Sequence, residues 1–123
     1  MAHQQYQDCI EACQDCADEC EQCASACLEE EDVKALADCI ALDRDCADIC
    51  RLAAAYMGRG SRFAKAFCDL CATICDACAV ECEKHDMDHC KRCAAACRRC
   101  ADECRKMAKA AGSKGRAPSV QHA

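Results

Sequence analysis

The sequence predicts an all-α protein, an up-down-up-down antiparallel four-helix bundle with cysteine lining its core. Three observations predict it. Cysteines recur at alternating intervals of three and four residues, which is a seam along one helix face. Turn signals cut the chain into four segments of roughly 25 residues joined by short connections, the pattern of a bundle. Finally, the interior lacks large side chains. Of the apolar residues, 26 are Ala and 19 are Cys, whereas Val, Ile, Leu, Met, Phe and Tyr together number 20 and Trp is absent. A compact core in this chain has to be built largely from sulfur. At 123 residues the chain is long enough for one modest domain.

The first helix carries Cys9, Cys13, Cys16, Cys20, Cys23 and Cys27, with Glu11, Asp15, Asp18, Glu19 and Glu21 on its solvated face. No period-two alternation suggests a strand. Glu29, Glu30, Glu31 and Asp32 follow. Acids are unfavourable at a helix C-terminus and favourable at the next N-terminus, so the break falls here, with Asp32 as a cap. The second helix is expected from about Val33 to Met57, carrying Cys39, Cys46 and Cys50. Gly58 suits its C′ position, and Ser61 can cap the third helix. That helix holds Cys68, Cys71, Cys75, Cys78 and Cys82. After His85-Asp86-Met87-Asp88, the fourth holds Cys90, Cys93, Cys97, Cys100 and Cys104. The bundle domain is placed at residues 1–111. The basic stretch that begins Gly112-Ser113-Lys114-Gly115-Arg116-Ala117-Pro118 makes 112–123 a disordered tail.

An antiparallel hairpin brings residues to one level when they lie equally far from its turn. For the last two helices the pairs 68/104, 71/100, 75/97, 78/93 and 82/90 all centre on Asp86. For the first two, 27/39, 20/46 and 16/50 centre on Val33, which sets Asp43 opposite Cys23 and Met57 opposite Cys9. The thiols therefore form layers across the bundle. Met57 reads as core filler rather than a thioether ligand. Asp43 either stands in the thiol seam or turns to solvent.

Cysteine at this density leaves disulfide scaffolds and metal proteins as the main classes. Disulfide scaffolds are loop-rich and exported, whereas this chain has four Gly, one Pro, an odd cysteine count and helical text throughout. Met1-Ala2-His3-Gln4-Gln5-Tyr6-Gln7-Asp8 is no secretory signal, and no segment reaches transmembrane length. The expected compartment is the reducing cytoplasm, with no membrane partner. A net charge of −6 argues against nucleic acid.

As mere packing, cysteine is inferior to Ala, Val or Leu and prone to oxidation. Bridges between i, i+3 or i, i+4 thiols on one helix are strained. Metal binding fits the ladders best. Zinc takes discrete Cys₄ sites, each leaving about two negative charges, which is costly in a buried tube. Iron–sulfur clusters draw on cysteines that converge from short loop motifs. Copper(I) is soft, accepts two or three thiolates, and at about one ion per bridging thiolate leaves the interior neutral. Charge balance selects copper(I), many ions of it, with all 19 cysteines as ligands. His85, Met87 and His89 gather at the end shared by the first and last loops, beside Glu29 to Asp32, and mark an entry for ions. The plain alternative is that His85 suits a helix C-terminus and His89 faces solvent. His3 and His122 lie in the termini and have no expected role.

The chain resembles the bacterial copper storage proteins, specifically their cytosolic members, over about residues 5 to 110. The most specific text is Glu83-Lys84-His85-Asp86-Met87-Asp88-His89-Cys90-Lys91-Arg92-Cys93-Ala94-Ala95-Ala96-Cys97-Arg98-Arg99-Cys100-Ala101-Asp102-Glu103-Cys104. There, histidines precede a Cys-x₂-Cys-x₃-Cys-x₂-Cys-x₃-Cys ladder. The resemblance implies a bundle filled with thiolate-bound copper(I), histidines at its open end, and a homotetramer. Two other functions compete: a zinc or cadmium sequestering protein, and a thiol redox protein. No cysteine stands apart as a nucleophile beside a base, so no enzyme is expected. Copper ions are the one partner the residues specify; a copper chaperone or efflux partner leaves no mark in them.

Overall fold

The computed structural model describes residues 6–112. The four helices are α1 (Gln7–Cys27), α2 (Ala37–Gly58), α3 (Ala64–Cys82) and α4 (Asp88–Gly112). No strand occurs among the described residues. The expected tail, 112–123, lies outside them except for Gly112, the last residue of α4, as do His3 and His122.

The helix ends follow local chemistry, with three departures from expectation. Asp32 does cap, its side chain accepting from Ala35 N at 3.3 Å, but it caps a 3-10 turn over Val33–Leu36. The regular second helix therefore starts at Ala37 and not near Val33. The apolar reason is Leu36, which this turn tucks inside at 2% exposure. At the other end of α2 the C′ residue is Gly60, not Gly58. Gly60 adopts φ 64°, its N–H bonds Met57 O at 3.1 Å, and Ser61 N–H bonds Tyr56 O at 2.9 Å. These two bonds are the Schellman arrangement, which needs the left-handed conformation glycine adopts without strain. Ser61 does not cap α3: its Oγ accepts from Phe63 N and its carbonyl from Ala64 N, both at 3.0 Å, in the turn before the helix, whose N-cap is Phe63 without a side-chain bond. Met87 O receives the first bonds of α4, from Cys90 N and Lys91 N at 3.0 Å each.

Each helix packs against its neighbours in chain order, and α4 returns against α1, closing an up-down-up-down ring. Small residues flank the seams: Ala17, Ala64, Ala79 and Ala101 are fully buried. Alanine at these positions lets the helices approach closely enough for thiols to touch at the axis. Outside, arginines of α2 and α4 bridge the ring: Arg51 to Glu21 at 3.2 Å, Arg99 to Asp15 at 2.9 Å, Arg98 to Glu83 at 2.8 Å, and Arg105 to Asp76. Such exposed pairs contribute about 0–1 kcal/mol each and mainly fix orientation.

Candidate metal centre

All 19 cysteines point inward as free thiols, and none is more than 1% exposed. The closest sulfur contacts set the register. Between α1 and α4 the pairs are Cys9–Cys104 (3.6 Å), Cys13–Cys100 (3.6 Å), Cys16–Cys97 (3.7 Å), Cys20–Cys93 (3.6 Å) and Cys23–Cys90 (3.9 Å). Between α2 and α3 they are Cys39–Cys82 (3.6 Å), Cys46–Cys75 (3.5 Å) and Cys50–Cys71 (3.7 Å). Cys16–Cys46 at 3.7 Å ties the two hairpins together. The thiols thus form levels along the axis, one side chain per helix at each.

The level pairs expected for α3 and α4 agree where they are resolved: Cys71 meets Cys100 at 4.0 Å, and Cys78 and Cys93 share a cluster within 4.8 Å. For α1 and α2 the register slips by one turn. Cys16 faces Cys46 most closely, while the expected partners 16/50 and 20/46 are diagonal neighbours within 4.8 Å. The cause is the connection. α1 ends at Cys27 and the bends fall on Glu30 and Glu31, so the hairpin turns earlier than Val33. Asp43 accordingly lies level with Cys93, its closest thiol.

Asp43 is fully buried in the seam, which decides between its two expected orientations. Its Oδ1 accepts from Cys93 at 3.2 Å, Cys78 at 3.3 Å and Cys82 at 3.6 Å, and its Oδ2 from Cys39 at 3.9 Å. Burial first, and then the neighbouring sulfurs, push its carboxyl up to about 10, so the acid is protonated at neutral pH. Burial likewise pushes Cys90 up to about 11 and raises Cys27. Met57, also fully buried, fills the end of the core opposite the histidines.

The two candidate histidines differ. His89 does not face solvent. Its Nδ1 lies 3.6 Å from Cys23 Sγ, 3.6 Å from Cys90 Sγ and 3.9 Å from Cys27 Sγ, and its Nε2 lies 3.0 Å from Glu30 Oε2. His85 stands to one side, its Nε2 3.2 Å from Glu81 Oε2 one turn back on the same segment.

The sulfurs gather in groups of four whose donor atoms all lie within 4.8 Å: Cys13/Cys71/Cys100/Cys104, Cys16/Cys46/Cys50/Cys75, Cys16/Cys20/Cys46/Cys97, Cys20/Cys78/Cys93/Cys97 and Cys23/Cys27/Cys39/Cys90. Metal–sulfur bonds of about 2.3 Å fit such separations without backbone movement. The groups overlap. Cys16, Cys20, Cys46 and Cys97 each belong to two of them, so the thiols form a continuous lattice of bridging donors instead of separate cages.

The copper storage protein family profile matches residues 2–109. The chain belongs to the copper storage protein family. Apo copper storage protein 3 from Bacillus subtilis is 54% identical, with 84% of this chain and 98% of that chain covered at a TM-score of 0.80. The Cu(I)-bound copper storage protein BsCsp3 is likewise 54% identical, covering 84% and 97% at 0.81. A cytosolic copper storage protein from Streptomyces lividans, loaded with five coppers, is 39% identical, covering 88% and 95% at 0.84. No curated protein sequence matches the chain. Among the described residues no helix is long and apolar enough to cross a membrane. Copper storage is thus the function of the family to which this thiol lattice belongs.

Every cysteine seam read from the sequence faces inward. Glu29 to Asp32 were expected beside the histidines, and the specific pairing of Glu30 with His89 is what the structure adds. The one distinguishing signal of Glu30 was a negative side chain where the helix dipole disfavours it.

Proposed function

We propose that the chain stores and buffers copper(I) in the cytoplasm, without catalysis, at roughly one ion per cysteine. The ligands are Cys9, Cys13, Cys16, Cys20, Cys23, Cys27, Cys39, Cys46, Cys50, Cys68, Cys71, Cys75, Cys78, Cys82, Cys90, Cys93, Cys97, Cys100 and Cys104, with His85 and His89 at the entry. The observation that carries this reading is the sharing of thiols between overlapping clusters. Discrete tetrahedral zinc sites cannot be cut from shared donors without leaving sulfurs over or charge accumulating. A monovalent soft ion on bridging thiolates uses every donor and replaces each thiol proton one for one. The cytosolic description of the Streptomyces lividans protein supports the compartment. The proposal includes assembly as a homotetramer, on the strength of the family resemblance.

Anaerobic titration of the reduced apoprotein with Cu(I), in competition with a strong Cu(I) chelator, tests the proposal. Uptake should approach the 19 thiols. Saturation after a few equivalents would overturn it. Tighter retention of zinc at one metal per four thiols would replace it with zinc sequestration.

A further inference from the structure

His89 is held from both sides. Its ring bridges the buried thiols of Cys23, Cys27 and Cys90 on one nitrogen and the carboxylate of Glu30 on the other. The two members of the pair come from different elements, Glu30 from the turn after α1 and His89 from the first turn of α4. The backbone fixes Glu30, whose N–H bonds Cys27 O at 3.2 Å. Its position owes nothing to helix stability, since a carboxylate at the end of α1 opposes the dipole. His85 and Glu81 are a useful contrast. They form a local pair along one segment, and among the described residues that ring makes no hydrogen bond to a thiol.

A carboxylate has no proton to give, so Nε2 of His89 must donate to Glu30. In the neutral ring that leaves Nδ1 with a bare lone pair, aimed at three thiols. Carboxylate–histidine pairs of this kind orient metal-ligating imidazoles and fix their tautomer.

We propose that Glu30 is a positioning residue for copper entry: its carboxylate locks His89 as the Nε2–H tautomer, so that Nδ1 receives Cu(I) and passes it to Cys23, Cys27 and Cys90. In the transfer the Cu–Nδ1 bond breaks as Cu–S bonds form, and the displaced thiol protons leave to water at the mouth. Copper stays monovalent throughout, so no oxidant or reductant is needed. The inference rests on the storage reading above, but its central claim concerns the empty protein.

Two measurements on the full reduced chain test it. The first is ¹⁵N NMR of the histidine rings in the apoprotein, recorded at mildly alkaline pH. Wild type should show His89 as the Nε2–H tautomer. Glu30→Ala should give a mixture, while Glu30→Gln, whose amide oxygen still accepts, should restore the preference. The second is stopped-flow transfer of Cu(I) from its complex with a chromogenic bidentate chelator. Glu30→Ala should slow the first phase by about tenfold, the lower end of what losing such a partner costs. Glu30→Gln should load at close to the wild-type rate, and final uptake should be unchanged in both. Glu29→Ala controls for loss of an exposed acid in the same turn and should load normally. The proposal is overturned if Glu30→Ala leaves the tautomer or the rate intact. It is equally overturned if Glu29→Ala slows loading as much, or if Glu30→Ala slows it further in a His89→Ala background. Should the wild type bind only a few ions, the storage reading fails while the tautomer result still judges Glu30.

Discussion

Asp43 offers a stability prediction whose size follows from its surroundings. The carboxyl is fully buried, and its proton is held up to about 10 against 3.8 for the free group. A folded-state value raised in this way favours the protonated acid. Its contribution is fully present below the unfolded value near 4 and is lost progressively as pH rises above it, because the unfolded chain gives up a proton that the folded chain keeps. The loss is about 1.4 kcal/mol per pH unit, hence about 4 kcal/mol between pH 4 and 7. Asn is the near-isostere of a protonated Asp, with one oxygen to accept from Cys78 and Cys93, and carries no such linkage. Asp43→Asn apoprotein should therefore match wild type near pH 4 and exceed it by up to about 4 kcal/mol at pH 7. Urea unfolding of both proteins, reduced and metal-free, at several pH values across this window measures the gap. A gap that stays constant from pH 4 to 7 would show that Asp43 is ionised in the folded protein, and the account of its environment would be wrong.

Loading should release about one proton per ion, because protonated thiols become thiolate ligands; pH measured in unbuffered solution during Cu(I) addition checks this. A yield well below half a proton per ion would mean that the thiolates pre-exist. At the far end from the histidines, Gly60→Ala places a side chain at φ 64° and should cost about 1–2 kcal/mol in urea unfolding, with copper capacity unchanged. The same substitution at Gly58, in regular helix with open space around its Cβ position, should instead be neutral or stabilising.

The seams were legible because helical period and cysteine spacing carry the same information. Once Cys9 to Cys27 is read as one stripe, inward orientation follows for all six, and likewise for the five thiols on each of α3 and α4. The α3–α4 register was legible too, since its turn is short and symmetric about Asp86. The α1–α2 register was not. Only three thiols mark α2, and the 3-10 turn at Val33–Leu36 leaves no spacing signal, so a plausible centre at Val33 concealed a turn at Glu30 and Glu31. The orientation of Asp43 was open for the same reason: a one-turn slip moves every assignment on the least marked helix. The Gly58 and Gly60 exchange reflects a choice between two nearby glycines that only the Met57 and Tyr56 carbonyls settle. The neighbourhood of Glu30 was legible from the shared end of the loops, but its pairing with His89 was not, because the partner is 59 residues away and no local pattern encodes such a contact.

A core of this kind has to satisfy two states, and the same feature serves both. Empty, its sulfurs lie 3.5–4.0 Å apart, so sulfur packs against sulfur as a small apolar group and the bundle needs no metal to close. Filled, each departing proton is replaced by one positive charge of equal size, and the buried column changes its chemistry without changing its charge. A divalent ion would break that symmetry at every site, and the imbalance would grow along the axis where no solvent screens it. Asp43 fits the same logic: a carboxyl kept protonated by burial adds an oxygen donor to the α2 wall, at a level where a further thiol is missing, and leaves the apo core neutral. Neutrality in both states explains why so many ionisable groups can share one buried axis.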